Sequence, residues 1–227
     1  MSIVSDKYKC IFIRIPKTAT TSIEHAFNLN DPGSVLPSDG VPHGHDGWEE
    51  VKRLAGDERW ESYFKFCVFR DPLDWLVSGL VDQASFWWEY DNYYRMMKVA
   101  LDSYLIEHPT KPNSVGLRAM QTIMVDGIVT KEDVDGFINL RKYWYLPRNH
   151  IFQSDWIPDD IDMVIDFADM NGGWEKFKER TGVDFDIPWH NRSKYNDGVK
   201  YEYTYPALEY ANEYFKKDID FYKELSK

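Results

Sequence analysis

The sequence predicts an α/β protein with a central parallel sheet flanked by helices, and three observations predict it. Short β-branched or aromatic runs at residues 9–15 and 64–69 each end in a loop that leads into a helical pattern. Two later β-like runs, residues 150–153 and 163–167, are again set apart by helical stretches, and strands separated by helices imply a parallel sheet buried on both faces. The 227 residues, 43% hydrophobic and 16% aromatic, supply one well-packed core and are short for two, so a single domain over 1–227 is expected.

The first strand is followed by Pro16 and a run of small hydroxyl residues that opens a helix through Ile23-Glu24-His25-Ala26-Phe27. Residues 28–47 hold Pro32, Pro37 and Pro42 together with Gly33, Gly40, Gly44 and Gly47, which marks a long surface connection of the kind that usually carries function. The second strand ends at Arg70-Asp71-Pro72, where Asp71 is placed to cap a helix whose first residue is Pro72. Residues 73–145 read as mostly helical, with breaks near Pro109-Thr110-Lys111-Pro112 and Asp126-Gly127. Within that stretch Thr130 to Asp133 resembles an N-cap with an acidic first turn. Helices are expected at 173–180 and, as one continuous element, at 206–225. No internal repeat or low-complexity tract is visible.

Lys and Arg number 27 against 38 Asp and Glu, a formal charge of −11, which argues against a nucleic-acid backbone as the main partner. An anionic ligand therefore needs a local basic pocket. Residues 1–80, with 9 basic and 12 acidic side chains, are the less acidic part and the better place for it. The first apolar run, Cys10-Ile11-Phe12-Ile13, stops at Arg14, far short of a signal-peptide core or a spanning helix, so a cytoplasmic protein with no membrane partner is expected. Cys10 and Cys67 both lie in apolar runs and are expected to be reduced core residues. The Asn191-Arg192-Ser193 sequon matters only in a secreted protein.

Phosphate groups need hydrogen-bond donors, positive charge and close backbone approach, and a loop that opens a helix at the carboxyl end of a strand supplies all three. Ile15-Pro16-Lys17-Thr18-Ala19-Thr20-Thr21-Ser22 has that character: small side chains from Thr18 to Ser22, several hydroxyls, and Lys17 as a mobile charge. A capped helix preceded by a surface lysine is the bland reading. A Walker A loop requires G-x-x-x-x-G-K-[ST]; Lys17-Thr18 fits its end, but both glycines are absent, which demotes a nucleoside-triphosphate kinase.

Phe69-Arg70-Asp71-Pro72-Leu73-Asp74-Trp75-Leu76-Val77-Ser78 places an arginine at a strand end and a serine eight residues later in the following helix. Taken alone, Arg70 could pair with an acid and Ser78 could be a neutral helix residue. With both motifs in this order, each after a strand, the chain resembles the sulfotransferases that use 3′-phosphoadenosine 5′-phosphosulfate (PAPS), and looks closest to the carbohydrate branch that contains the heparan 2-O-sulfotransferases. That resemblance implies a single P-loop-like domain. It also implies that Lys17, Thr18, Ala19, Thr20, Thr21 and Ser22 hold the 5′-phosphosulfate and that Arg70 and Ser78 hold the 3′-phosphate. Arg192 and Lys194, in a late basic loop after Trp189-His190, are implied as further contacts to the 3′-phosphate, with a solvated turn as the alternative. The segments at 150–153, 163–167 and 215–222 resemble later family segments more loosely. Two departures stand out: many family loops have glycine where Ala19 stands, and alanine resists a positive φ; and some members stack adenine on an aromatic residue where this chain has Ser22.

Sulfuryl transfer to an alcohol needs a group that takes the hydroxyl proton, and histidine does so near neutrality. His43 and His45, in His43-Gly44-His45, lie in the long loop between the two motifs, where the heparan-type relatives carry a histidine base. Two other readings stand beside that one: metal ligation with Asp46 or His190, and solvated loop residues. His25 reads as structural. The aromatic run Phe86-Trp87-Trp88-Glu89-Tyr90-Asp91-Asn92-Tyr93-Tyr94 offers platforms for sugar rings, but its helical spacing favours core packing. The expected chemistry is metal-independent transfer from PAPS to a hydroxyl acceptor, a glycan by the resemblance, with His45 or His43 as base and adenosine 3′,5′-bisphosphate (PAP) as product. Two rival readings are a phosphotransferase with a divergent phosphate loop and a non-catalytic nucleotide- or glycan-binding module.

Overall fold

The structure is a computed structural model that describes residues 2–36, 46–88, 119, 122–123, 126–143, 150–188 and 201–227. The chain divides into two compact units. One comprises Met1–Asp71, Leu146–Arg192 and Lys217–Lys227, the other Pro72–Tyr145 and Ser193–Lys216.

The first unit is built on a five-stranded sheet. Its strands are β1 (Ser2–Ser5), β2 (Cys10–Ile13), β3 (Val35–Leu36), β4 (Phe64–Phe69) and β6 (Met163–Asp166), in the order β3-β1-β2-β4-β6. β2, β4 and β6 run parallel, with Ile13 opposite Cys67 and Phe69 opposite Asp166. β1 pairs antiparallel with β2 and β3 at one edge. The α/β reading with a mostly parallel sheet is thus what the chain forms.

Side chains alternate faces along each strand. Cys10, Phe12, Phe66, Val68 and Ile165 pack with Ile23, Ala26 and Phe27 of α1 (Thr20–Asn30) and with Trp174 and Phe177 of α6 (Met170–Thr181). α6 lies close enough to β6 that a Cβ on Gly173 would run into the Ile165 side chain. On the other face, Ile11, Ile13, Cys67 and Phe69 pack with Val51 of α2 (Trp48–Ala55), Trp60 of α3 (Asp57–Ser62), and Phe221 and Tyr222 of α8 (Lys216–Leu225). Burial on both faces is what the near-continuous apolar runs require. Cys10 and Cys67 are free thiols facing opposite clusters, and burial pushes the Cys10 thiol up to about 12 and Cys67 upward as well.

The second unit contains α4 (Pro72–Trp88), α5 (Lys131–Tyr143), α7 (Tyr205–Tyr214) and a two-stranded parallel ribbon of β5 (Ile128–Val129) and β7 (Glu202–Tyr203). Trp75 packs edge-on against Phe137 and Phe215, with the Arg141 guanidinium 5.0 Å from its ring centre. α4 starts at Pro72 as expected. Thr130 caps α5 in the manner read from Thr130 to Asp133: its Oγ1 accepts the Asp133 N–H, and the Asp133 carboxylate accepts the Thr130 N–H.

Two expectations are corrected. Residues 150–152 form no strand, and Gln153–Trp156 is a turn of 3₁₀ helix, because its polar groups are claimed by distant partners described below. The single helix expected at 206–225 is two helices, since the chain leaves helical geometry at Phe215, whose fully buried ring packs against Trp75 and Phe137.

Candidate active site

The carboxyl ends of adjacent parallel strands lie on one side of a sheet, the usual place for a ligand in an open α/β fold. The loop after β2 and the residues after β4 both emerge there. The first loop runs from Arg14 to Ala19. Lys17 and Ala19 both adopt left-handed backbone, at φ 65° and 61°. Ala19 serves as the N-cap of α1, its carbonyl accepting the Ser22 and Ile23 N–H groups, and no side chain caps the helix. A left-handed residue at this position turns successive N–H groups toward one concavity, and the uncapped start of an 11-residue helix adds its positive dipole end to the same place.

Local contacts hold the turn. The buried Thr18 hydroxyl donates to the Ile15 carbonyl at 2.7 Å, closing the loop from within. Behind it, Arg14 and Glu24 form a buried pair at 2.5 Å that ties the exit of β2 to α1. Burial draws the Arg14 pKa down, while the carboxylates of Glu24 and Asp46 oppose that shift. Thr20 and Ser22 are buried, Thr21 is exposed, and Lys17 is half-buried. His25 lies partly buried on α1.

The sequence suggested that alanine would divert the loop from a positive φ. Instead Ala19 accepts it. A left-handed L-residue costs about 1–2 kcal/mol, whereas glycine gives back about 0.4–1 kcal/mol through the entropy of the unfolded chain. Ala19→Gly is therefore expected to raise stability by roughly 0.5–1 kcal/mol, seen as a thermal midpoint higher by about 1–4 °C. A lower midpoint in a melting experiment would contradict the left-handed assignment.

Arg70 follows the last residue of β4, beyond the final ladder pair. Its guanidinium lies 4.6 Å from the centre of the Phe167 ring, which fixes a planar cation against a face. Its main chain is held by Gln153, whose Oε1 accepts the Arg70 N–H at 3.1 Å and whose Nε2 donates to the Arg70 carbonyl at 2.8 Å. Gln153 and Asp218, which supports it, carried no signal in the sequence that set them apart from core or surface residues.

The structure thus gathers Lys17, Thr18, Ala19, Thr20, Thr21 and Ser22 into one helix-opening turn and places Arg70 at the end of the neighbouring strand. Ser78 lies within α4 in the second unit, half-buried. His43, His45, Arg192 and Lys194 fall outside the described residues, as does the aromatic run beyond Trp88. Asp46, a candidate partner for the loop histidines, is buried in the field of Arg14. Among the described residues no group of three or more His, Cys, Asp or Glu side chains is placed to hold a metal ion.

Comparison with known proteins bears on this arrangement. The family described as the sulfotransferase family matches residues 1–120, the stretch that holds both strand-end motifs. The chain is 26% identical over 126 residues to carbohydrate sulfotransferase 10 of Danio rerio, a match covering 51% of this chain and 34% of that protein. The chain therefore spans about a third of the length of that curated relative. No solved structure matches it. The similarity overturns the expected cytoplasmic location, because that relative belongs to a Golgi-type, membrane-anchored branch. Among the described residues no helix is long and apolar enough to cross a membrane, and the short apolar run at Cys10 to Ile13 reports only on that segment. With the location goes the ground for discounting the Asn191-Arg192-Ser193 sequon, which lies outside the described residues. The match over more than half of the chain, on the segment that builds the helix-opening loop and Arg70, establishes that this protein belongs to the sulfotransferase family, with its similarity in the carbohydrate branch.

Proposed function

We propose that residues 1–227 act as a P-loop-like catalytic domain that transfers a sulfuryl group from PAPS to a hydroxyl group of a glycan. The observation that carries this reading is the left-handed turn at Lys17 and Ala19, which opens the uncapped helix α1 beside the strand end that presents Arg70. The fit to the donor is chemical. A concavity of main-chain N–H groups suits a phosphosulfate, and a guanidinium seated over the Phe167 ring suits a phosphate.

When bound, PAPS supplies the sulfuryl group: the bond from sulfur to the acceptor oxygen forms as the bond from sulfur to the phosphate oxygen breaks. In this scheme Thr18 offers a main-chain N–H, since its hydroxyl already braces the loop. Lys17 and the N–H groups at the start of α1 stabilise the charge that gathers on the departing phosphate oxygen. The family resemblance assigns Arg70 and Ser78 to the 3′-phosphate, with Arg192 and Lys194 as further contacts. His45 or His43 takes the acceptor proton.

The test is a melting experiment. PAP is expected to raise the thermal midpoint, by the equivalent of about 2.7 kcal/mol at a hundredfold excess over Kd, because it binds the folded state alone. ATP, lacking the 3′-phosphate, is expected to do less. Equal shifts with ATP, or shifts that depend on magnesium, would replace this reading with that of a phosphotransferase.

A further inference from the structure

We propose that Gln153 and Asp218 are positioning residues for Arg70, forming a relay that fixes the donor's 3′-phosphate site from the C-terminal helix α8. The proposal rests on the assignment of Arg70 to that phosphate.

Arg70 stands one residue past the β4–β6 ladder, so its main-chain N–H and carbonyl have no strand to pair with. The fully buried Gln153 amide serves in place of one, accepting from the N–H and donating to the carbonyl of the same residue. Such a two-point bond holds the two peptide units on either side of the Arg70 Cα. Gln153 is itself fixed. Its own N–H donates to Asp218 Oδ2 at 2.8 Å, and the Ser154 N–H donates to Asp218 Oδ1 at 3.0 Å. Asp218 is fully buried on α8, and burial pushes its pKa upward against the pull of those two N–H donors. The same turn is gripped a second time by Asp155, which accepts the Phe152 N–H at 2.9 Å and pairs with Lys217 at 2.8 Å.

Burying a carboxylate and an amide is costly unless every polar atom is satisfied, and a strand end can be closed with far cheaper groups. This one is closed by the Gln153 side chain, whose own backbone is held in turn by a carboxylate 65 positions further on. Phe167 holds the head of Arg70 and Gln153 holds its backbone, so the side chain has a defined origin and a defined end. Precision at this level matters, since a misplacement of about 1 Å in a positioning contact costs on the order of a hundredfold.

The test uses the full chain and calorimetric titration with PAP and with AMP, which lacks the 3′-phosphate. Arg70→Ala is expected to abolish the preference for PAP. Gln153→Met, which keeps the volume and removes both bonds, is expected to weaken PAP binding by about tenfold or more, a loss of about 1.4 kcal/mol, and AMP binding by less than twofold. Asp218→Asn is expected to give the same selective loss at smaller amplitude, and it carries the test should the Gln153 variant not fold. Because the relay acts only through Arg70, adding Gln153→Met to Arg70→Ala is expected to change the PAP-to-AMP ratio no further. Equal losses for both nucleotides, or an additional loss of ratio in the double variant, would make Gln153 a purely structural residue and overturn the inference. A wild-type protein that fails to prefer PAP over AMP would overturn the assignment of Arg70 and the relay together, an outcome separate from either of those.

Discussion

Alanine at the proton-accepting member of the pair His43 and His45 is expected to lower the rate of sulfuryl transfer by roughly 10²–10⁴, the usual scale of general-base catalysis. PAP affinity is expected to stay nearly unchanged, because the base touches the acceptor side of the reaction and leaves the nucleotide grip alone. His45 is preferred on the sequence, where it stands between Gly44 and Asp46. Asp46 is buried, and its charge acts on Arg14. Single-turnover rates of both variants, with folding followed by circular dichroism, check the expectation. Near-wild-type rates in both would remove histidine from the mechanism, and activity abolished by chelators would turn the pair into metal ligands.

Lys17→Ala is expected to reduce turnover by about 10²–10³, comparable with the loss of one preorganised donor from an oxyanion site. Donor binding is expected to weaken much less. The reasoning lies in where the charge appears. In the proposed scheme main-chain N–H groups at the left-handed turn and the start of α1 hold the ground-state phosphosulfate, whereas charge on the bridging oxygen grows only as the sulfuryl group leaves. A contact made chiefly in the transition state shows as a fall in kcat at nearly constant affinity. Equal losses in kcat and in PAP affinity would make Lys17 a ground-state phosphate ligand and move the catalytic charge elsewhere.

Much of the first unit was legible because its signals are local. The apolar runs at Cys10–Ile13 and Phe64–Phe69 have the length and the β-branched or aromatic content of buried strands, and each leads through a short connection into its helix. β1 was not legible, since Ser2–Ser5 holds two apolar residues and becomes a strand only through its partner, in a turn fixed by the bond from Tyr8 N–H to Ser5 Oγ. Residues 150–153 misled for the opposite reason. Ile151 and Phe152 suggest a strand, but tertiary bonds from Gln153 to Arg70 and Asp218 decide the backbone there, and a pairing 83 positions apart leaves no periodic trace. The division into two units was equally silent: the first of its four crossings falls between Asp71 and Pro72, inside a strand-to-helix motif, with no linker composition to mark it.

In the candidate site, the residue types at 17–22 and 70 could be read, and their backbone could not. The sequence offered alanine as an obstacle to positive φ, while the structure holds Ala19 there at φ 61° with the Thr18 bond to Ile15 bracing the turn. Strain of this kind persists where the surroundings over-determine it, and it concentrates at ligand sites.

Labelled sulfate tests the transfer chemistry itself. The protein is incubated with sulfur-labelled PAPS and a panel of glycans, phenols and peptides, and the label is followed into product. The expected result is label on a glycan, release of PAP in equal amount, and loss of both in Lys17→Ala. Label on no acceptor, with PAP bound tightly but never produced, would contradict it and leave a nucleotide-binding module in its place.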